Sequence, residues 1–168
     1  MERTSFAKMR CSLARGLELI GDWWSPLIIR DLFLEVGRFD DLVEDLGISR
    51  NLLARRLKAL IKAGIVERRV YQQNPRRWEY RLSAKGRDLV PVLLALTEWG
   101  DRWAGPKEGR PILFTHTACG HQFHPTVACS VCGGSLSADT VTAKGGPGGL
   151  AATGTKIVAR RLGRAAGP

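Results

Sequence analysis

No stretch of this chain approaches the roughly 18 consecutive apolar residues that would span a bilayer, and the first ten residues, M-E-R-T-S-F-A-K-M-R, lack the apolar run of a secretory leader. Both absences predict a cytoplasmic protein without a membrane partner. Histidine is scarce: all three, His116, His121 and His124, fall within nine residues of one another. None therefore lies near the acidic run Asp40, Asp41, Glu44 and Asp45, which reads as a solvated helix face rather than an acid/base pair. A phosphate-cradling glycine loop and a nucleophile elbow are also missing. These gaps exclude the common enzyme classes. Four cysteines in a reducing compartment do not predict a disulfide framework, and their uneven placement, one at Cys11 and three at Cys119, Cys129 and Cys132, suggests two separate jobs.

What the chain has in excess is positive charge. Its 168 residues carry a formal charge of +10, with an isoelectric point near 10.1, and a hydrophobic share of 44% can still bury a core. An anionic macromolecule is the partner such a balance favours. The charge is concentrated at residues 49–63, S-R-N-L-L-A-R-R-L-K-A-L-I-K-A, where five Lys or Arg occur without a carboxylate. Helical spacing puts Leu53, Leu57, Leu60 and Ile61 on one stripe and Asn51, Arg55, Lys58 and Lys62 on the other side. Ser49 suits the N-cap, Ile48 the hydrophobic staple, and Gly64 the stop.

The flanking segments extend this pattern. Residues 11–20 read as an amphipathic helix packed on the next one. Ser25 followed by Pro26 predicts a helix start, with Leu27, Ile28, Leu32 and Phe33 inward and Gly37 as the stop. Residues 40–46 form a brief helix, and a short glycine-containing turn at 46–49 joins it to the basic one, a helix-turn-helix arrangement. After Gly64 the period changes to two. Residues 65–71 and 78–82 read as strands of a hairpin whose tip, Q-Q-N-P-R-R, places Arg76 and Arg77 toward phosphates or a narrow minor groove. Ser49, Arg50, Asn51, Arg55, Lys58 and Lys62 of the helix, with Arg76 and Arg77 of this wing, are the candidate DNA contacts. Residues 83–103 predict one helix capped by Ser83, bent by Pro91, with Leu89, Val92, Leu93, Leu96, Trp99 and Trp103 on a stripe that Val90 and Leu94 widen. A stripe that broad predicts contact with a second subunit.

These segments resemble the HxlR-type family of bacterial winged helix-turn-helix transcriptional regulators. The likeness rests on C-S-L-A-R-G-L-E-L-I-G-D-W-W-S-P-L-I-I-R-D-L, R-F-D-D-L, G-I-S-R-N-L-L-A-R-R-L-K-A-L, G-I-V-E-R-R-V-Y, E-Y-R-L-S-A-K-G and the W-G of Trp99-Gly100. It implies a homodimer bound to a pseudo-palindromic operator, repressing or activating nearby genes, with repression the expected direction. The wing departs from the family pattern by reading N-P-R-R-W, a more basic turn. Some regulators of the family sense oxidants or electrophiles through a cysteine at the place of Cys11. Lys8, Arg10 and Arg15 close by favour a reactive thiolate in general, while cysteine as a residue type more often simply packs. Packing is the favoured reading of Cys11, with a redox-sensing role there, and a redox or small-molecule effector, as the alternative that the resemblance leaves open.

Residues 105–111 read as a linker. Beyond them, Cys129-Ser130-Val131-Cys132-Gly133 has the spacing of a zinc knuckle, and His116-Thr117-Ala118-Cys119-Gly120 has the same frame with histidine first. The expected set is one structural Zn2+ on His116, Cys119, Cys129 and Cys132, with His121 and His124 as competing ligands. Residues 138–168 are rich in Gly and Ala, lack carboxylates after Asp139, and carry Lys144, Lys156, Arg160, Arg161 and Arg164. They read as a flexible basic tail in which residues 155–162 form at most a transient turn or helix. The expected architecture is therefore mainly α (α+β): a winged helix-turn-helix domain over 1–104, a linker over 105–111, a zinc-ribbon-like segment over 112–137 and a tail over 138–168. The competing function is a zinc-containing protein-interaction adaptor whose charge gives only non-specific nucleic-acid affinity.

Overall fold

The computed structural model describes residues 5–163. Four helices come first: α1 (Ser12–Ile20), α2 (Trp24–Phe33), α3 (Phe39–Leu46) and α4 (Arg50–Lys62). A hairpin follows, β1 (Val66–Gln72) and β2 (Arg77–Leu82), then α5 (Ala84–Arg87) and α6 (Val90–Trp103). The C-terminal part holds a second small hairpin, β3 (Phe114–His116) with β4 (His121–Phe123), and α7 (Lys156–Arg161).

Local chemistry sets the ends of α4. The Leu52 N–H donates to Ser49 Oγ (3.4 Å) at the cap. At the other end the Gly64 N–H donates to Ile61 O and the Ile65 N–H to Leu60 O, both 2.9 Å, and Gly64 takes φ +69°. This is a Schellman closure, which redirects the chain straight into β1 while satisfying the last carbonyls. The same closure ends α2, with the Val36 N–H donating to Asp31 O at 2.9 Å and Glu35 at φ +66°. A left-handed glutamate costs about 1 kcal/mol or more. Gly37 is therefore not the stop of α2, which ends at Phe33.

The start of α2 also differs from expectation. Ser25 is buried as the second residue of α2, and the capping side chain is that of Asp22, one residue before the N-cap position, whose Oδ1 accepts the N–H groups of Trp24 and Ser25, each at 3.0 Å. Facing inward are Ile28 and Ile29, both fully buried, while Leu27 and Phe33 stay exposed. The inward pair sits one residue later than the Ser25 start predicted. Likewise α1 packs on α4, leaving Leu13 and Leu17 exposed and only Ala14 buried.

The core joins Ile28, Ile29 and Leu32 to Leu42, Ile48, Leu53, Leu57 and Leu60, closed by Ile65, Val66 and Leu82 from the roots of the hairpin. Each such side chain contributes about 1.5–3 kcal/mol when fully buried. Ile61, expected in the stripe, lies exposed at its edge. The hairpin is antiparallel with Val66 opposite Leu82 and Val70 opposite Trp78, and its register shifts between Val70 and Gln72. Arg38 bridges to Glu79 as a minimal third strand, and the Tyr80 N–H donates to Gly37 O at 2.7 Å. A Cβ at Gly37 would stand 2.6 Å from Tyr80 O, so only glycine permits that approach.

The long C-terminal helix is interrupted. Ser83 Oγ accepts the Gly86 N–H (3.1 Å) to cap α5, the chain turns at Asp88 and Leu89, and α6 begins anew with Pro91 in its first turn. There a proline removes no intrahelical bond, so the break replaces the expected bend. In place of a free linker, Arg110 returns to α6 and donates to Glu98 Oε2 and Oε1 (2.8 and 3.0 Å). Within the basic tail, Thr155 is buried, α7 occupies the 155–162 segment read as a transient turn or helix, and the Gly145 N–H donates to Leu162 O at 3.2 Å. Arg164 lies outside the described residues.

Candidate nucleic-acid interface

The helix-turn-helix is built by Gly47, whose φ of +59° turns the end of α3 into Ser49. With Leu53, Leu57 and Leu60 locked into the core, the opposite side of α4 must face outward. Asn51, Arg55, Lys58 and Lys62 are all exposed, three or four residues apart, along one stripe. Among the described residues Arg55, Lys58 and Lys62 form no ion pair, so their charge is available to a ligand. Ser49 is committed to its cap. Arg50 is partly committed: its Nη1 lies 2.7 Å from Asp40 Oδ1 and its guanidinium stacks 5.0 Å from the Phe39 ring centroid. Arg56 points inward, half-buried, with Nε 3.3 Å from Asp22 Oδ1.

The wing supplies a second cationic edge. Its turn occupies residues 73–76, tied by the Gln72 side-chain amide donating to Asn74 O at 2.8 Å. Arg76 is at the tip, whereas Arg77 is already the first residue of β2, opposite Gln72. Sequence reasoning missed how Trp78 organises this edge. The Arg76 guanidinium lies 4.7 Å from the indole centroid and that of Arg68 4.4 Å, so one ring orients two cations. Arg38 stacks in the same way on Tyr71, at 5.0 Å. A cleft of about 560 Å3 runs between α3, the start of α4 and the wing, with Arg38, Arg50, Arg76 and Arg77 on its walls. The alternation Arg68, Val70 against Trp78, Tyr80 was the available signal, because cross-strand neighbours share a face.

The other predicted side chains group differently. Cys11 is half-buried at the N-cap position of α1 and gives that helix no side-chain cap bond. His116 Nδ1 and Cys119 Sγ lie 3.4 Å apart. The Gly120 N–H donates to His116 O (2.8 Å) and the Gly133 N–H to Cys129 O (2.8 Å), and both glycines take φ +72°. The two turns therefore share one backbone design. Backbone N–H groups of Cys132 and Val131, together with the Cys132 side chain, hold the Cys129 thiol below its ordinary pKa. His124 Nδ1 stands 3.6 Å from Glu98 Oε2, and His121 pairs with His116 across the small hairpin. Among the described residues no three His, Cys, Asp or Glu side chains converge on one point. The structure thus joins His116 to Cys119 and Cys129 to Cys132, but does not unite the two pairs.

A helix seated on a shared core with an outward cationic stripe, flanked by a basic two-stranded wing, defines a winged helix-turn-helix DNA-binding protein. Residues 19–108 match the HxlR-like helix-turn-helix family, and the chain belongs to that family. The HTH-type transcriptional regulator Rv3095 of Mycobacterium tuberculosis is 42% identical over 137 residues, which cover 82% of this chain and 87% of that protein. The regulator sll1512 of Synechocystis is 38% identical over 94 residues, 55% of this chain and 70% of that one. Among solved structures, PA1607, described as a candidate transcription factor, superimposes with a TM-score of 0.73 at 32% identity over 84% of this chain and 99% of its own. The oxidised redox regulator HypR gives 0.51 at 32% identity over 55% and 96%. The match to Rv3095 is longer than the family segment, so part of the C-terminal extension is shared with it. The chain is accordingly a DNA-binding transcription regulator and not an enzyme. Among the described residues no helix is long and apolar enough to cross a membrane.

Proposed function

We propose that the chain represses transcription as a homodimer bound to a pseudo-palindromic operator. The observation that carries this reading is the stripe Asn51, Arg55, Lys58 and Lys62, exposed and free of carboxylate partners on a helix whose other side is locked in the core. Asn51 and Arg55, in the N-terminal half of α4, read base edges in the major groove. Lys58, Lys62, Arg76 and Arg77 neutralise phosphates and fix the register. Dimerisation is supported by α6, where Val92, Leu96, Trp99 and Trp103 are each more than half exposed on one face. An apolar surface of that kind marks an interaction site. Two reading helices on one side of the duplex need half-sites roughly 34 Å apart. Footprinting on a selected operator tests this: two protected half-sites one helical turn apart are expected, and full affinity for one isolated half-site contradicts the dimer.

The extension adds a structural zinc in this reading. Its support is the shared knuckle backbone at Gly120 and Gly133, the thiolate-favouring N–H groups at Cys129, and a nitrogen and sulfur donor set of the kind zinc prefers. His116, Cys119, Cys129 and Cys132 would hold the ion. Purified protein should carry about one zinc per chain, lost in Cys129→Ser or Cys132→Ser; zinc-free protein with an ordered extension contradicts it.

A further inference from the structure

The molecule contains an apolar cavity that the DNA-reading surface does not use. It measures about 220 Å3 and lies where α2, α6 and the first strand of the extension meet, lined by Leu27, Phe33, Leu93, Leu94, Thr97 and Phe114. Two stripes of α6 have separate occupations. Val90, Leu93, Leu94 and Thr97 recur at helical spacing on the cavity side, whereas Val92, Leu96, Trp99 and Trp103 recur on another face, more than 90° around the helix axis at about 100° per residue. Leu96 alone touches both. A second copy seated on the tryptophan face therefore leaves the cavity open, and its walls all come from one chain.

The polar groups at the wall define what fits. Arg30 lines the cavity, but its Nε and Nη2 are held by Asp31 Oδ1 (2.8 and 2.6 Å) and Nη2 also lies 3.3 Å from Asp45 Oδ2. Two carboxylates already answer Nε and Nη2 of that one cation, which leaves little of its charge for an anionic ligand, and neither carboxylate is among the residues that line the cavity. Thr97 donates its hydroxyl proton to Leu93 O (2.9 Å), which leaves Thr97 Oγ1 only as an acceptor. A closed apolar cavity of roughly 150 Å3 holds benzene; this one is larger by about half and is open to solvent along Leu27, Phe33 and Leu96.

We infer that this cavity is a binding site for a small uncharged ring compound, of bicyclic or substituted single-ring size, that carries one N–H or O–H donor. The ring packs among Phe33, Leu93, Leu94 and Phe114, and the donor meets Thr97 Oγ1. Because Arg30 ties α2 to Asp45 on α3, the α2 wall also abuts the reading head, which places the site where a bound effector can bias DNA binding. The inference concerns ligand binding alone and stands apart from the operator reading.

The test is a 19F NMR titration of the full chain with 5-fluoroindole, in parallel with 1-fluoronaphthalene, which lacks the donor. Saturable binding of 5-fluoroindole at one site per chain is expected. Leu94→Trp, which fills the cavity, should weaken it at least tenfold with the far-ultraviolet circular dichroism unchanged. Thr97→Val, nearly isosteric, should weaken 5-fluoroindole several-fold while leaving 1-fluoronaphthalene unaltered. Absence of saturation up to the solubility limit overturns the proposal, as does undiminished binding in a folded Leu94→Trp. Loss of binding in Trp99→Ala would move the ligand to the opposite face of α6 and overturn it as well.

Discussion

Asp22 Oδ1 and Arg56 Nε lie 3.3 Å apart, so the residue that caps α2 also holds the inner flank of the reading helix. The same oxygen accepts the N–H groups of Trp24 and Ser25, and Ser25 donates its hydroxyl to the other oxygen, Oδ2. One carboxylate thus fixes the junction between α1 and α2 and the rotation of α4 at once. Removing it strands two backbone donors and one half-buried guanidinium.

Asp22→Ala should therefore lose about 1–3 kcal/mol of stability, combining a lost cap with the unpaired Arg56. Asp22→Asn keeps an acceptor for the cap and should lose less. Urea denaturation of the two variants measures the difference; equal losses would mean that the cap contributes nothing and that the whole effect comes from the lost charge facing Arg56.

The attachment of the extension to α6 should depend on pH through Glu98. Hydrogen bonds from Arg110, with help from the charges of Arg110, His124 and Arg102, hold the Glu98 carboxyl below its ordinary value of 4.5. A carboxylate depressed on folding contributes stability that is fully present above its unfolded value and is lost as pH falls through the folded one. Hydrogen exchange over residues 110–124 should accordingly stay slow from neutral pH down to about 4.5 and quicken below it, beyond the intrinsic pH dependence of exchange. Arg110→Ala should abolish that step; a step that persists would place the pH response elsewhere.

The exposed tryptophans yield a separate prediction. Trp99→Glu with Trp103→Glu puts two charges on the proposed subunit interface and should weaken self-association by tenfold or more, since aromatic anchors dominate interfaces. Sedimentation equilibrium decides. A wild-type chain that remains monomeric at tens of micromolar would remove the interface from consideration.

Legibility in the sequence followed the range of the forces involved. The reading helix was legible because its signals are local and agree: the Ser49 cap, the Leu53, Leu57, Leu60 period and the Gly64 closure all point to the same thirteen-residue element. Ser25 misled because Ser-Pro is a good helix start in isolation, while Asp22, three residues earlier, offers a carboxylate that reaches two amides. Pro91 was correctly read as an obstacle, yet the chain resolves it by restarting a helix rather than bending one. Contacts between residues distant in sequence were not readable at all. Arg110 looked like linker charge and is instead paired with Glu98, and the stacking of Arg38 on Tyr71 requires the fold to bring them together.

The central claim is that α4 reads sequence while the wing grips phosphate. Fluorescence anisotropy with a selected operator and a scrambled duplex, over a range of salt, separates the two roles. Arg55→Ala should cost about 1–3 kcal/mol on the operator and little on the scrambled duplex, whereas Arg76→Ala should weaken both alike and reduce the salt slope by about 1. If Arg55→Ala instead weakens both duplexes equally, or if neither substitution changes affinity, α4 is not the reading element.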